Sequence, residues 1–229
     1  MAMGGYVYTD VVGPTRRVGV QLSYAYHVNL TENLKLGFGL SFGFNQWLLD
    51  ADKITTYDPN DFYFSNGLLR SFDPDGKFGI YLHHPDWYFG VSLGQLIHNR
   101  LTFTAEHTGS QSFMEDHFYF HAGYKFRIGE DWIIEPSALV KESWPAEPKC
   151  DVNLLVYFRE SVWLGAGFRT QDAWTFMIGH KYKDMLTIGY SYDLTHTDLK
   201  HYSNGTHEIM LGFTFGGSNR TEEADPSLE

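Results

Sequence analysis

The chain of 229 residues has one cysteine, Cys150, so no disulfide can close within it and no cysteine cage can hold a metal. Basic residues are scarce: 17 Lys and Arg stand against 28 Asp and Glu, a formal net charge of −11. A nucleic-acid partner needs a basic face for its phosphates, so the balance argues against that class. No run approaches the roughly 18 consecutive apolar residues of a spanning helix, which excludes a helical membrane protein. The first residues, Met1-Ala2-Met3-Gly4-Gly5, carry neither the basic nor the apolar region of a secretory signal. That leaves cytoplasmic residence or a start downstream of the natural one.

Aromatic residues and glycine are abundant. There are 18 Phe, 15 Tyr, 6 Trp and 23 Gly against only 8 Pro, a bias that favours strands over helices. The mean hydropathy of −0.31 is that of an ordinary soluble domain. A transmembrane β-barrel is compatible with it, because barrel strands alternate apolar with polar residues and the average hides the lipid-facing side.

The dominant pattern has period two. In Leu34-Lys35-Leu36-Gly37-Phe38-Gly39-Leu40-Ser41-Phe42-Gly43-Phe44 every even position is large and apolar, and a strand puts all of these on one face. The alternation recurs in Val18–Val28, Phe118–Ile128 and Ile209–Phe215. It predicts about twelve strands, each near the ~9–11 residues of a tilted membrane crossing. Their spans are 2–9, 17–29, 34–44, 77–84, 87–95, 117–128, 132–142, 150–158, 161–169, 173–182, 185–193 and 206–216. The expected organisation is an antiparallel barrel over 1–216 and a disordered acidic tail over 217–229. Tight turns near 31–33, 85–86, 129–131, 159–160 and 183–184 alternate with longer segments over 45–76, 96–116, 143–149 and 194–205. Outer-membrane barrels show that asymmetry, with the short side periplasmic. The short connection at Gln171-Asp172 departs from it.

The second face decides between a membrane barrel and a soluble one. A soluble barrel would carry Lys, Glu and Thr there; here its middle is Gly and Ser, as at Gly37, Gly39, Gly90, Ser92, Gly165, Gly167, Gly189 and Ser191. Small residues suit a crowded interior and wide apolar rows suit lipid. So many in-strand glycines predict that something packs closely inside, most simply the folded-in segment 45–76. Pro136, mid-strand, predicts a bulge.

Few residues point to chemistry. His117 and His121 share a strand face but lie roughly 13 Å apart, too far for one ion. The eleven histidines therefore read as polar interior or interfacial groups. Asp73-Pro74-Asp75-Gly76, in the acidic segment 45–76, resembles part of a calcium loop but lacks the bidentate Glu, so a solvated acidic loop is expected, with weak calcium binding as the alternative. No Gly-x-Ser-x-Gly occurs, and Cys150 has no histidine near it in sequence. No catalytic residue, metal or cofactor is implied.

Several segments in order resemble the PorP/SprF family, outer-membrane proteins of the Bacteroidetes type IX secretion and gliding machinery. They are Gly13-Pro14-Thr15-Arg16-Arg17 with Ser23-Tyr24-Ala25-Tyr26, Gly90-Val91-Ser92-Leu93-Gly94-Gln95-Leu96, and His117-Phe118-Tyr119-Phe120-His121-Ala122-Gly123-Tyr124. Pro136-Ser137-Ala138-Leu139-Val140-Lys141, Asp151-Val152-Asn153, Trp163-Leu164-Gly165-Ala166-Gly167-Phe168-Arg169, Ile188-Gly189-Tyr190-Ser191-Tyr192-Asp193 and His207-Glu208-Ile209-Met210-Leu211-Gly212-Phe213 follow.

The resemblance implies a non-enzymatic outer-membrane barrel that docks or anchors secreted cargo, such as surface adhesins with a C-terminal sorting domain. Its partners would be those proteins, other type IX components and outer-membrane lipid. A family barrel of about fourteen strands, an even number as such barrels have, would leave the N-terminal pair missing here. Exposed aromatics are common interface anchors, so Trp47, Tyr57, Phe62, Tyr63 and Phe64 are the candidate partner-binding residues. A passive porin and, behind it, an outer-membrane hydrolase are the alternatives.

Overall fold

The structure is a computed structural model that describes residues 1–54, 67–97, 115–201 and 203–215. Within them thirteen strands form one antiparallel sheet. They are β1 (Ala2–Val12), β2 (Thr15–Asn29), β3 (Lys35–Asp50), β4 (Leu68–His83), β5 (Trp87–Gly94), β6 (His117–Tyr124), β7 (Phe126–Ile128), β8 (Trp132–Glu142), β9 (Lys149–Phe158), β10 (Val162–Arg169), β11 (Ala173–Tyr182), β12 (Leu186–Thr195) and β13 (Thr206–Phe213). Neighbours in sequence are neighbours in the sheet, except that β7 pairs with β8 beside the main order. Strands β6 and β7 are one ribbon parted at Lys125, so the sheet has the twelve ribbons that the alternation predicts. No described helix is long and apolar enough to cross a membrane. The order runs from β1 to β13, and no pairing among the described residues joins those two; the sheet is consistent with a β-barrel.

The faces are inverted relative to a water-soluble protein. Only Ala51 and Ala173 are buried hydrophobics among the described residues, whereas Gln21, Asn45, Ser71, Asp73, Asp75, Glu135 and Asp151 are buried polar groups. Leu22 is 71% exposed beside Gln21 at 2%, and Phe44 is 54% exposed beside Asn45 at 1%. An aqueous exterior would favour the opposite arrangement. Acyl chains favour this one, since they accept the apolar rows and leave the polar ones to the other face.

The chain forms two compact units, Met1–Tyr124 with Ala138–Cys150, and Lys125–Ser137 with Asp151–Glu229. In the first, cross-strand registers align residues of one face into rows. Tyr24–Leu40–Phe78–Leu93–Phe118 and Tyr26–Phe38–Ile80–Val91–Phe120 are apolar rows, while Tyr8–Gly19–Asn45–Asp73 and Tyr6–Gln21–Gly43–Asp75 lie on the other face. In the second unit Val156–Leu164–Ile178–Tyr190–Ile209 is an apolar row, backed by Tyr157–Trp163–Gly179–Gly189–Met210.

Strands β3 and β4 are longer than the alternation predicts. Their ladder continues to Asp50↔Leu68, so residues 45–50 and 68–76 are strand and the connection shrinks to 51–67. The solvated acidic loop expected there is corrected for Asp73 and Asp75, which are 1% and 3% exposed on the polar face of β4. An extended strand cannot wrap an ion as a calcium loop does. Pro74 is tolerated for a geometric reason. Gly76 accepts the Leu96 N–H at 3.0 Å on the β5 side, so Pro74, two residues earlier, also turns its backbone polar groups away from β3. At Pro136, β8 runs on without interruption; the break falls on the neighbouring ribbon at Lys125, next to the Phe126↔Ile134 pair.

The turns on one side are tight. Arg159-Glu160 and Lys183-Asp184 each place two successive residues at positive φ, the type I′ geometry that matches strand twist. Lys181 donates to Asp184 at 2.6 Å, and this hydrogen bond, with the lysine's charge, holds the Asp184 carboxyl below its ordinary value. On the other side, β1 and β2 are joined only by Gly13-Pro14, with Gly13 at φ +55°, a second short connection besides the one at 170–172.

Candidate functional site

The polar face of the first unit carries the chemically richest cluster. Arg17 comes from the start of β2, and its guanidinium lies over the Trp47 ring at 4.6 Å and the Tyr8 ring at 5.4 Å. Tyr8 donates its hydroxyl proton to Asn45 Oδ1 at 2.8 Å. One row on, Lys77 Nζ donates to the Tyr6 hydroxyl at 2.8 Å and lies 3.7 Å from Asp75. Ser23 and Ser41, in the row of Lys77 itself, share a 2.7 Å hydrogen bond. Strand parity explains this grouping, because Ser71, Asp73, Asp75 and Lys77 are two apart and share a face.

The cluster is under-satisfied. Arg17 Nε, Gln21 Nε2, Asn45 Nδ2, Trp47 Nε1, Asp73 Oδ2 and Asp75 Oδ1 are buried without a hydrogen-bond partner among the described residues. Each such group left unmet costs about 1–3 kcal/mol, so a further polar partner would stabilise the network.

Beside it lies a groove. A cavity of about 510 Å³ is lined by Arg17, Ser41, Asp75, Lys77, Gln95 and His117 among others. An adjoining one of about 500 Å³ shares Gly39, Gly79, Ser92 and Tyr119 with it and continues past His27, Gly37, Gly90 and His121. Small residues make its floor. A Cβ placed on Gly39 would meet nothing nearer than the Gly79 carbonyl oxygen, at 3.9 Å. Aromatic rings flank it: Tyr81 stacks on His83 at 6.0 Å and on His121 at 6.3 Å, and His121 packs on Tyr88 at 4.7 Å. The groove thus has one charged end and one ring-flanked end. It can hold an extended chain with polar groups at one end.

The second unit has a tied strand end and a smaller cavity of about 220 Å³ beside Trp163, Gly189 and Met210. Arg169 lies 3.5 Å from Asp151, 3.1 Å from Asp172 and 3.4 Å from Asp193. Three carboxylates on one guanidinium pin β9, β10 and β12 and leave it no free charge to offer a ligand.

Of the residues that the sequence picks out, Trp47 lies in β3 rather than in a connection, stacked under Arg17 and facing Ser71 across the ladder. Tyr57, Phe62, Tyr63 and Phe64 lie outside the described residues, as do most of 96–116 and the tail from 216. His117 and His121 share the polar face as their spacing predicts, and among the described residues no three His, Cys, Asp or Glu side chains are placed to hold a metal. Sequence reasoning missed the cluster around Arg17. Its one signal was the two-residue spacing of Ser71, Asp73, Asp75 and Lys77, masked by the turn-like Asp-Pro-Asp-Gly.

The family model described as type IX secretion system membrane protein PorP/SprF matches residues 1–213, nearly the whole chain. No curated protein matches it.

Proposed function

Because the chain belongs to the PorP/SprF family of type IX secretion system membrane proteins, we propose that it is an outer-membrane barrel of that machinery that docks or anchors secreted proteins. Its cargo would carry the type IX C-terminal sorting domain, surface adhesins among them, and recognition would involve no bond chemistry. The observation that carries the reading is the glycine-floored groove beside Arg17, Asp75 and Lys77. Glycines let a guest backbone approach the sheet closely, and the charged end supplies the polar contacts that fix its register. The aromatic residues Tyr57, Phe62, Tyr63 and Phe64 of the β3–β4 connection, with Trp47 at its base, are proposed as further anchors.

Gly39→Phe tests this by filling the groove from its floor. The expected outcome is normal membrane insertion with cargo lost from the cell surface and from pull-downs. Cargo capture at the wild-type level in this variant, and again after 51–67 is replaced by a short turn, would refute docking. Stable conductance in a wild type that captures no partner would mark a passive porin.

A further inference from the structure

The apolar face of the first unit ends abruptly, at two arginines. On β2 the outward residues Val18, Val20, Leu22, Tyr24, Tyr26 and Val28 run without interruption. Ten residues of strand cover about 33 Å, and at the usual tilt of roughly 40° this spans about 25 Å of membrane normal, the height of an outer-membrane apolar band. The next outward position beyond Val18 is Arg16. The register continues that row as Arg16–Leu48–Arg70 across β2, β3 and β4, on the side of the long β3–β4 connection.

Arg16 and Arg70 are exposed, and neither has an ion pair among the described residues. Asp50, the nearest outward carboxylate along β3, is held by Lys53 at 3.1 Å. Two strand spacings set the arginine backbones about 10 Å apart. Below them lies the row Val18–Gln46–Phe72, with Phe72 69% exposed. In a chain of net charge −11, two guanidiniums without an ion pair among the described residues, one row past the acyl-facing residues, stand at the depth of lipid headgroups. Guanidinium forks match phosphate oxygens bidentately.

We propose that Arg16 and Arg70 form a clamp for the phosphoryl headgroup of a membrane lipid in the leaflet on the long-connection side, with Leu48 and Phe72 against its acyl chains. This rests on the membrane reading above and is separate from cargo docking.

The test uses the full chain in vesicles of phosphatidylglycerol or of an uncharged glycolipid. Flotation reads insertion, and native mass spectrometry after gentle extraction reads retained lipid. The wild type is expected to float with both lipids and to retain phosphatidylglycerol selectively. Retention should fall roughly fivefold in Arg16→Gln or Arg70→Gln and roughly thirtyfold in the double variant. Equal retention by wild type and double variant, with both floating, would overturn the clamp and leave the membrane reading intact. A wild type that floats with neither lipid would overturn both. Uptake of inorganic phosphate as strong as that of the lipid would overturn the lipid as its source, as would a double variant that loses only cargo capture.

Discussion

The two compact units differ in how far their inward glycines are covered. In the second, Trp163 lies over Gly179, Leu155 and Met177 over Gly165, and Asn153 over Gly167, while Gly189 and Gly212 meet Met210 and Thr187 at 3.1 and 3.4 Å. In the first, Gly19, Gly43 and Gly123 are likewise covered by Tyr8, Gln21 and Tyr88, but Gly39 opens on a cavity, and around it Gly37 and Gly79 meet only neighbours at 3.3 Å or more. A glycine under a ring is a packing device, and a glycine under open space is room for something else.

Substitutions can break this comparison. The largest loss of stability is expected from Gly179→Leu, which places a side chain where the Trp163 ring lies. Overpacking of that kind costs about 3 kcal/mol, read as a lowered urea midpoint of the membrane-inserted protein. Arg169→Ala comes next. It leaves the largely buried Asp151 carboxylate without its guanidinium and frees three strand ends, and because Arg169 is itself about one-third exposed the expected cost is nearer 2 kcal/mol than that of a fully buried pair. Gly39→Leu should change stability least, within about 0.5 kcal/mol, since its Cβ enters open space and a strand gains from losing a glycine. If Gly39→Leu destabilised as much as Gly179→Leu, the groove would be packed like the second unit and the contrast would fall.

Much of the fold was legible because one force writes it twice. On the membrane reading lipid selects the outward rows and close packing the inward ones, so Leu36–Phe44 and Phe118–Ile128 carry a period-two signal on both faces. Where the sheet outruns the apolar band, and along β4 within it, that signal fades. Residues 45–50 and 68–76 mix Asn, Gln, Trp, Asp and Pro on both faces, and so read as a connection although the ladder persists. The groove was legible only in part. The glycines that floor it were visible, but whether a neighbour covers a given glycine depends on cross-strand register, and one chain of letters does not contain that. The pairing of Arg17 with Trp47, thirty positions apart, was hidden for the same reason.

The central claim is that the Leu- and Phe-bearing side of the strands touches acyl chains and the glycine-bearing side does not. Fluorophores attached to single cysteines at Leu40 or Ser41, in a Cys150→Ser background, test it when the protein is placed in vesicles whose acyl chains carry bromine. The account predicts strong quenching at position 40 and little at position 41, whose native serine is hydrogen-bonded to Ser23. Quenching at 41 and not at 40, or a protein that stays monodisperse in plain buffer with both sites unquenched, would contradict it.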